Sequence, residues 1–456
     1  MHNTRSAVKN LTAGSPMRLI LGFAIPLFGG MLFQQFYNMM DTLIVGRFLG
    51  VQALAGVGAT SSINFMIIGF CMGVCNGFAI PISQQFGAGR YDKMRRFYAN
   101  SIYLSAVFSV VMTAAVCILC RQILQWMQTP SDIMGYAYTY IFIIFLGIPV
   151  TYVYNLFSAA IRALGDSRAP VVFLVISSVL NIILDIVFIT AFHLGVAGAA
   201  AATVISQGVS GALSIIHIRR KMPQLHLGAE DRAFVPSYAE KLTAMGIPMG
   251  LQYSITAIGS VILQTSVNTL GSSYVAALTA GTKVNAFFAT PFDAIGSTMA
   301  TYGGQNAGAG KLERIGQGLR AATVIGVLYS ISAFVILFFT GRQLCGIFTG
   351  ESAGDLAYHG WQYLVIVSAF YIPLHFVNAV RFLIQGVGYP GTAILSGAFE
   401  MVGRAGVALF LVPRIGYVGA CFASPCAWIL ADIFLFCAYR LTVKRLYALK
   451  AESGRT

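Results

Sequence analysis

The sequence predicts an all-α polytopic membrane protein, with twelve transmembrane helices in two parallel-repeat six-helix bundles. Three observations predict it. Hydrophobic residues make up 57% of the 456-residue chain and charged residues 10%, with a mean hydropathy of +0.75. Apolar runs long enough for a bilayer core, about 20 residues each, recur twelve times. The two halves of the chain also match each other at a nearly constant offset.

The composition excludes most alternatives. Soluble domains carry about 25% charge, so neither an ordinary soluble enzyme nor a disordered chain fits. The 48 glycines and the alanine-rich stretches favour close helix packing. A β-barrel would instead show alternating segments of about ten residues.

The apolar runs lie at 19–46, 53–80, 97–119, 134–160, 169–191 and 196–217, then at 242–268, 275–302, 319–340, 358–384, 391–411 and 416–439. The polar interval between them divides the chain into an N-lobe (1–217), a linker (218–241) and a C-lobe ending in a short basic tail (242–456). With the N-terminus inside, inner segments hold 23 basic residues, among them Arg5, Arg95, Arg96, Arg219, Arg220, Lys221, Arg381 and Arg455. Outer segments hold only 4: Arg47, Arg121, Arg342 and Arg414. That bias puts both termini in the cytoplasm. The net charge of +14 is accordingly read as attraction to anionic membrane lipids, not to nucleic acid. Residues 1–16 lack the basic, apolar and cleavage regions of a signal peptide.

The repeat is seen in Leu49-Gly50 against Leu270-Gly271, Gly87–Arg90 against Gly308–Lys311, Gly165 against Gly386, and Gly195, Gly198, Ala199 against Gly416, Gly419, Ala420, all 221 residues apart. Ile25-Pro26 matches Ile247-Pro248 at 222. Six spans per half put both halves in the membrane the same way up. Two like bundles suit alternating access, and a duplicated scaffold without transport is the alternative. The loops QQFGAGR (84–90) and QNAGAGK (305–311) follow no strand and lack the phosphate-loop spacing. Their glycines are expected to turn the chain at the membrane surface, leaving an ion gradient as the energy source.

The eight cysteines, Cys117 and Cys120 included, are expected to be small buried hydrophobes. No Ser-His-Asp, Cys-His or H-E-x-x-H arrangement supports catalysis, so the chain is expected to be neither an enzyme nor the holder of a cofactor.

Charge within hydrocarbon is costly, so intramembrane ionisable groups mark function. Gln34, Asn38 and Asp41 share one helix face at i, i+4 and i+7, with Pro26 upstream where the helix can bend. Asn181 and Asp185 share another face, and the sixth span adds Thr203 and Gln207. Asp41, Asn181, Asp185 and Thr203, with Asn38, form an oxygen set for a coupling ion. That ion is either Na⁺ or a proton shared by the two carboxyls. Asp293, beside the kink-forming Pro291, is read with Gln34 and Tyr37 as substrate-binding, since aromatic faces attract organic cations. Glu400 and Arg404, four residues apart, are read as a structural ion pair.

The stretch Asn38-Met39-Met40-Asp41, with Gly46–Gly50 and Ala53-Leu54-Ala55, resembles the first-span signature of the multidrug and toxic compound extrusion (MATE) family. So do Gln84–Arg90, Arg162–Asp166 and Gly195–Ala200, and the resemblance covers nearly the whole chain. It implies an antiporter, acting as a monomer, that exports small organic cations and other drugs for H⁺ or Na⁺. The resemblance is strongest to the prokaryotic branch with an acidic N-lobe cation site. That implies coupling roles for Asp41, Asn181, Asp185 and Thr203, with Tyr140 as an associated tyrosine. Another branch carries an acidic residue early in the seventh span, where this chain reads PMGLQY (248–253) and has none. The wider superfamily also contains flippases and exporters of lipid-linked precursors, which remain the alternative function.

Overall fold

Apolar sequence in a bilayer must satisfy its own backbone, and the chain does so with helices. The computed structural model describes residues 8–349 and 354–453, so Arg5 and Arg455 of the charge census lie outside the described residues. The first six spans are Pro16–Leu49, Val51–Ala59 continued by Ser61–Gly87, Tyr91–Trp126, Met134–Leu146 continued by Ile148–Ala163, Arg168–Ala191 and Gly195–Lys221. The next six are Pro236–Asn268, Ser272–Gly308, Leu312–Thr349, Gly354–Ala369 continued by Tyr371–Gly386, Gly391–Ile415 in three contiguous helical pieces, and Tyr417–Cys421 continued by Ala423–Ser453. No strand occurs among the described residues.

Among the described residues nine helices are long and apolar enough to cross a membrane alone, and two bent pairs raise that to eleven. The eighth helix, 37 residues long, completes the twelve. It is the one whose hydropathy is diluted by threonine, asparagine, lysine and aspartate.

The two bends have a chemical cause. The fourth span turns by 48° at Gly147 and the tenth by 53° at Phe370. Pro149 and Pro373 follow each break by two or three residues. Neither can donate to the carbonyl four residues back, and the ring crowds that carbonyl. The fifth and eleventh spans share another device, a wide π turn at Val187–Ala191 and at Val407–Leu411.

Chain contacts divide the molecule into two compact units. One holds Gly29–Gly250 with the N-terminal residues to Asn10, and the other holds Leu11–Phe28 with Leu251 onward. The divisions fall two residues after Pro26 in the first helix and two residues after Pro248 in the seventh. Within the first unit, Gly73 and Gly77 of the second span meet Gly246 and Gly250 of the seventh. A Cβ on Gly73 would lie 2.5 Å from the Met249 carbonyl oxygen, and one on Gly77 would lie 2.6 Å from Gly246 Cα. This is the small-residue crossing that lets membrane helices touch backbone to backbone. The core around it includes Val74, Cys75, Phe78, Phe145 and Tyr152. In the second unit Phe292, Tyr371, Leu337, Val380 and Trp428 play that part.

Matched glycines of the two halves do the same conformational work. Gly50 and Gly271, Gly89 and Gly310, and Gly195 and Gly416 all have positive φ, at +86 and +108, +70 and +68, and +59 and +60 degrees. Only glycine takes these angles without strain. The two GAG loops are therefore turns between helices.

One residue of the charge census moves. Arg381, counted with the inner loops, sits inside the tenth span and is buried. It is held there by a carboxylate partner, Glu400. Without it the inner segments hold 22 basic residues, and the bias is scarcely changed.

Candidate cation site

The site is built in the first unit from four spans. Gly30 allows the first span to lie against the fifth, since a Cβ there would come within 2.7 Å of Val171. Further along, Asp41 and Asp185 come together, carboxyl within hydrogen-bonding reach of carboxyl. Asp185 is 0% exposed and Asp41 is 9% exposed. The Oδ1 atom of Asp41 is buried with no hydrogen-bond partner among the described residues. Tyr140, on the first limb of the bent fourth span, is buried within electrostatic reach of Asp41, Tyr37 and Asp185.

Thr203 is the hub of the neutral groups. Its hydroxyl donates to the Ala199 carbonyl at 3.1 Å and accepts from Asn181 Nδ2 at 3.4 Å. Tyr37 Oη stands 3.4 Å from the same oxygen. With the Thr203 proton committed to Ala199, Tyr37 is the donor of that contact. A small cavity of about 40 Å³ lies between Gln34, Tyr37, Asn181, Thr203 and Gln207. It has room for water but not for a drug. Gln207 itself accepts from Thr151 Oγ1 at 2.9 Å.

Asp41, Asn181, Asp185, Thr203, Tyr140, Gln34 and Tyr37 are thus brought together. Asn38 is not, because its side chain is exposed on the neighbouring flank of the first span. The face that turns inward is Gln34, Tyr37, Asp41, which is the i, i+3, i+7 reading of the same helix. Sequence reasoning passed over Ser177, Ser178, Ser206 and Ser210, which also line the cavity. Uncharged serines in an apolar helix carry little cost, so nothing in the sequence marked them out. Among the described residues no three His, Cys, Asp or Glu side chains converge. The donor set is hard oxygen, suited to Na⁺ or a proton and unsuited to a transition metal.

The second unit carries a different network. Glu400 accepts a buried ion-pair hydrogen bond from Arg381 and lies 3.5 Å from Arg404. Arg404 also donates to the Thr256 carbonyl at 3.2 Å and to Ser260 Oγ at 3.4 Å, both on the seventh span. Asp432 is buried within electrostatic reach of Arg381 and Glu400. Asp293 is exposed on the eighth helix within reach of Arg381, while Lys283 is exposed elsewhere on that helix. Gln385, one turn after Arg381 on the same helix, donates to Gln252 at 2.7 Å. Arg381 was the missed member. It closes an apolar run, where a basic residue reads as a loop anchor.

Comparison with known proteins follows this duplication. The MatE family model matches the chain twice, at residues 26–187 and 248–409. Among similar proteins, "Probable multidrug resistance protein YpnP" of Bacillus subtilis is 28% identical over 389 residues, 85% of each chain. A "FAD transporter" of Shewanella oneidensis is 22% identical over 338 residues, covering 73% of this chain and 75% of that one. The crystal structure of MATE in complex with MaL6 superposes with a TM-score of 0.91 at 21% identity, covering 98% of this chain and 100% of that one.

Proposed function

The chain belongs to the MatE family of membrane transporters, which are not enzymes, and we propose that it is a secondary active antiporter that exports lipophilic organic cations and other drugs in exchange for H⁺ or Na⁺. The observation that carries this reading is the Asp41–Asp185 pair. Two carboxyls in contact inside a bilayer cannot both be charged without a cation or a shared proton between them. The surrounding groups, Asn181, Thr203, Tyr37 and Tyr140, are neutral oxygens and donors. None of them carries a charge that would neutralise the pair.

Ion binding would hold the first and fifth spans together. Ion release would leave like charges facing each other and push the first span away. That helix is already weakened at Pro26, which cannot donate to the Gly22 carbonyl. Drug and ion then compete for opposite shapes of one helix, and the coupling is reciprocal. The name of the Bacillus relative supports drugs as cargo. The name of the Shewanella relative adds FAD to the cargoes worth testing. The basic census supports both termini in the cytoplasm.

The test is transport by purified protein in ATP-free liposomes, with H⁺ and Na⁺ gradients imposed separately. Labelled cationic dyes, FAD and a lipid-linked sugar serve as cargoes. Dye movement driven by one gradient is the expected result. Movement of the lipid-linked sugar alone would transfer the chain to the flippase reading.

A further inference from the structure

A cleft of about 560 Å³ lies in the first unit, at the basic end of the third and sixth spans and away from the cation site. We infer that it is a binding site for an anionic phospholipid of the surrounding bilayer. The headgroup phosphate would sit between Arg219 and Arg232, and one acyl chain would run down the third span.

The cleft is amphipathic. Ile102, Phe157 and Ile215 line its apolar part. Arg219, at the end of the sixth span, and Arg232, in the linker, line its polar part, together with His226. Both arginines are exposed. The Arg219 carbonyl is bonded to the His226 ring at 3.0 Å, but among the described residues its guanidinium has no hydrogen bond or ion pair, and Tyr98 is its buried neighbour. Arg232 reaches only the Leu227 carbonyl, at 3.5 Å.

Nearby acids do not neutralise them. Asp231 is taken by Arg95 at 2.8 Å and by the Gly228 amide at 3.0 Å. Glu230, beside it, is exposed. Two guanidiniums without an acidic partner, over an apolar floor, complement a phosphodiester attached to a hydrocarbon chain, and they repel a lipophilic cation.

The lipid origin of the ligand is argued by what lies next to the cleft. Tyr103 lines it too, donating its hydroxyl to the Arg232 carbonyl at 2.9 Å. Val107 and Val110 follow on the same helix face, and the three are 39%, 59% and 65% exposed. Among the nine described helices that are apolar enough to cross a membrane alone, the third span is the least buried, with 17% of its most apolar window inside the protein. An acyl chain leaving the cleft therefore meets a continuous apolar stripe already in contact with the bilayer.

The site also explains how the linker is seated. Its polypeptide is held to the third span by Arg95–Asp231, by Asn100 bonded to Ala233 and Val235, and by Tyr103. A lipid phosphate would add a bridge from the linker, through Arg232, to the sixth span, through Arg219.

Native mass spectrometry of the full chain tests this, with phosphatidylglycerol, phosphatidylcholine or inorganic phosphate added to detergent-purified protein. Phosphatidylglycerol should stay bound through delipidation when phosphatidylcholine does not. Arg219→Gln with Arg232→Gln should lower its retention by roughly fivefold per arginine. Arg232→Glu should lower it further, and Arg342→Gln should leave it unchanged. Each variant is read only from monodisperse protein, and the exposed positions of both arginines permit that. Equal retention of the two lipids by the unmodified protein would overturn the site. So would undiminished phosphatidylglycerol binding by both the paired and the charge-reversed variants. Inorganic phosphate that bound as tightly as the lipid, and displaced it, would assign the cleft to a small anion instead.

Discussion

In the first unit two carboxyls face each other with amide, hydroxyl and phenol groups around them; in the second, Glu400 is ion-paired with two guanidiniums and Asp293 and Asp432 lie within reach of Arg381. The scaffold is nevertheless a repeat. At the offset of 221, Asp185 corresponds to Gly406 and Asn181 to Val402, while Asp41 falls at Ile262. Conversely, Arg381, Glu400 and Asp432 correspond to Ala160, Val179 and Gly211. Duplication preserved the turns and the helices, and each half then placed charge at its own positions. A carboxyl pair with neutral neighbours can gain and lose a cation. A carboxylate between two arginines is already neutralised and serves as a tie between helices.

The sharpest way to break this comparison is to remove one member of each set. Asp41→Asn or Asp185→Asn should lower gradient-driven dye transport by roughly 100-fold, the upper end of a typical coupling free energy. Protein yield and thermal midpoint should hold or rise, since a repulsive pair has been relieved. Proteoliposome flux and a melting curve on the same preparation measure both. Full coupling in the folded double variant would move the ion site elsewhere.

The second unit should answer in the opposite currency. Glu400→Gln removes the carboxylate that Arg381 and Arg404 share in a buried setting, and breaking such a pair costs about 3–5 kcal/mol. The thermal midpoint should fall, and replacing Arg381 with Met in the same chain should recover much of it. Ion specificity of any remaining flux should not change. A Glu400→Gln protein of normal stability and altered ion dependence would make the second network a coupling site too.

A gentler change probes spacing rather than charge. At Gly30 a Cβ would stand 2.7 Å from Val171, so Gly30→Ala should push the first span off the fifth and separate Asp41 from Asp185. We expect roughly a tenfold loss of coupled flux, in line with overpacking costs of about 1–3 kcal/mol. Val171→Ala in the same chain should restore it. Loss without rescue would mean that this contact does not set the carboxyl spacing.

How much of this was legible beforehand follows from what each signal depends on. Helix number and the repeat were legible because hydrocarbon demands long apolar runs, and because the matched glycines hold backbone angles that other residues resist. Asp41 and Asp185 were legible because a carboxyl in an apolar run is costly and conspicuous. Asn38 was not separable from Tyr37, since either neighbour continues a face through Gln34 and Asp41 at helical spacing. The small residues lining the cavity, Ser177 and Ser210 among them, carry no such cost and gave no signal. Arg381 was hidden by its position at the end of an apolar run, and only its partner Glu400 reveals that it lies inside. The π turns after Asp185 and Arg404 have no sequence mark that we can name.

The smallest expected effect concerns Thr203, and it discriminates between two ways in which the neutral groups can work. If Thr203 is a ligand of the ion, its loss weakens ion affinity directly. If it is a hub, its loss loosens Tyr37 and Asn181, which both contact its hydroxyl oxygen. The geometry favours the hub, because the hydroxyl proton is committed to Ala199 and the lone pairs face two donors. Thr203→Ala should then reduce coupled flux by only about fivefold, the worth of a neutral hydrogen bond of about 1 kcal/mol. Thr203→Ser should restore it, since serine can repeat the same three contacts. Removing the Tyr37 hydroxyl by Tyr37→Phe should give a similar loss, and the Thr203→Ala, Tyr37→Phe pair should lose little more than either alone. The check is ion-dependent dye efflux across a series of ion concentrations for all four proteins. Losses that multiplied in the double variant would make Thr203 and Tyr37 independent contributors, and Thr203 a direct ligand of the ion.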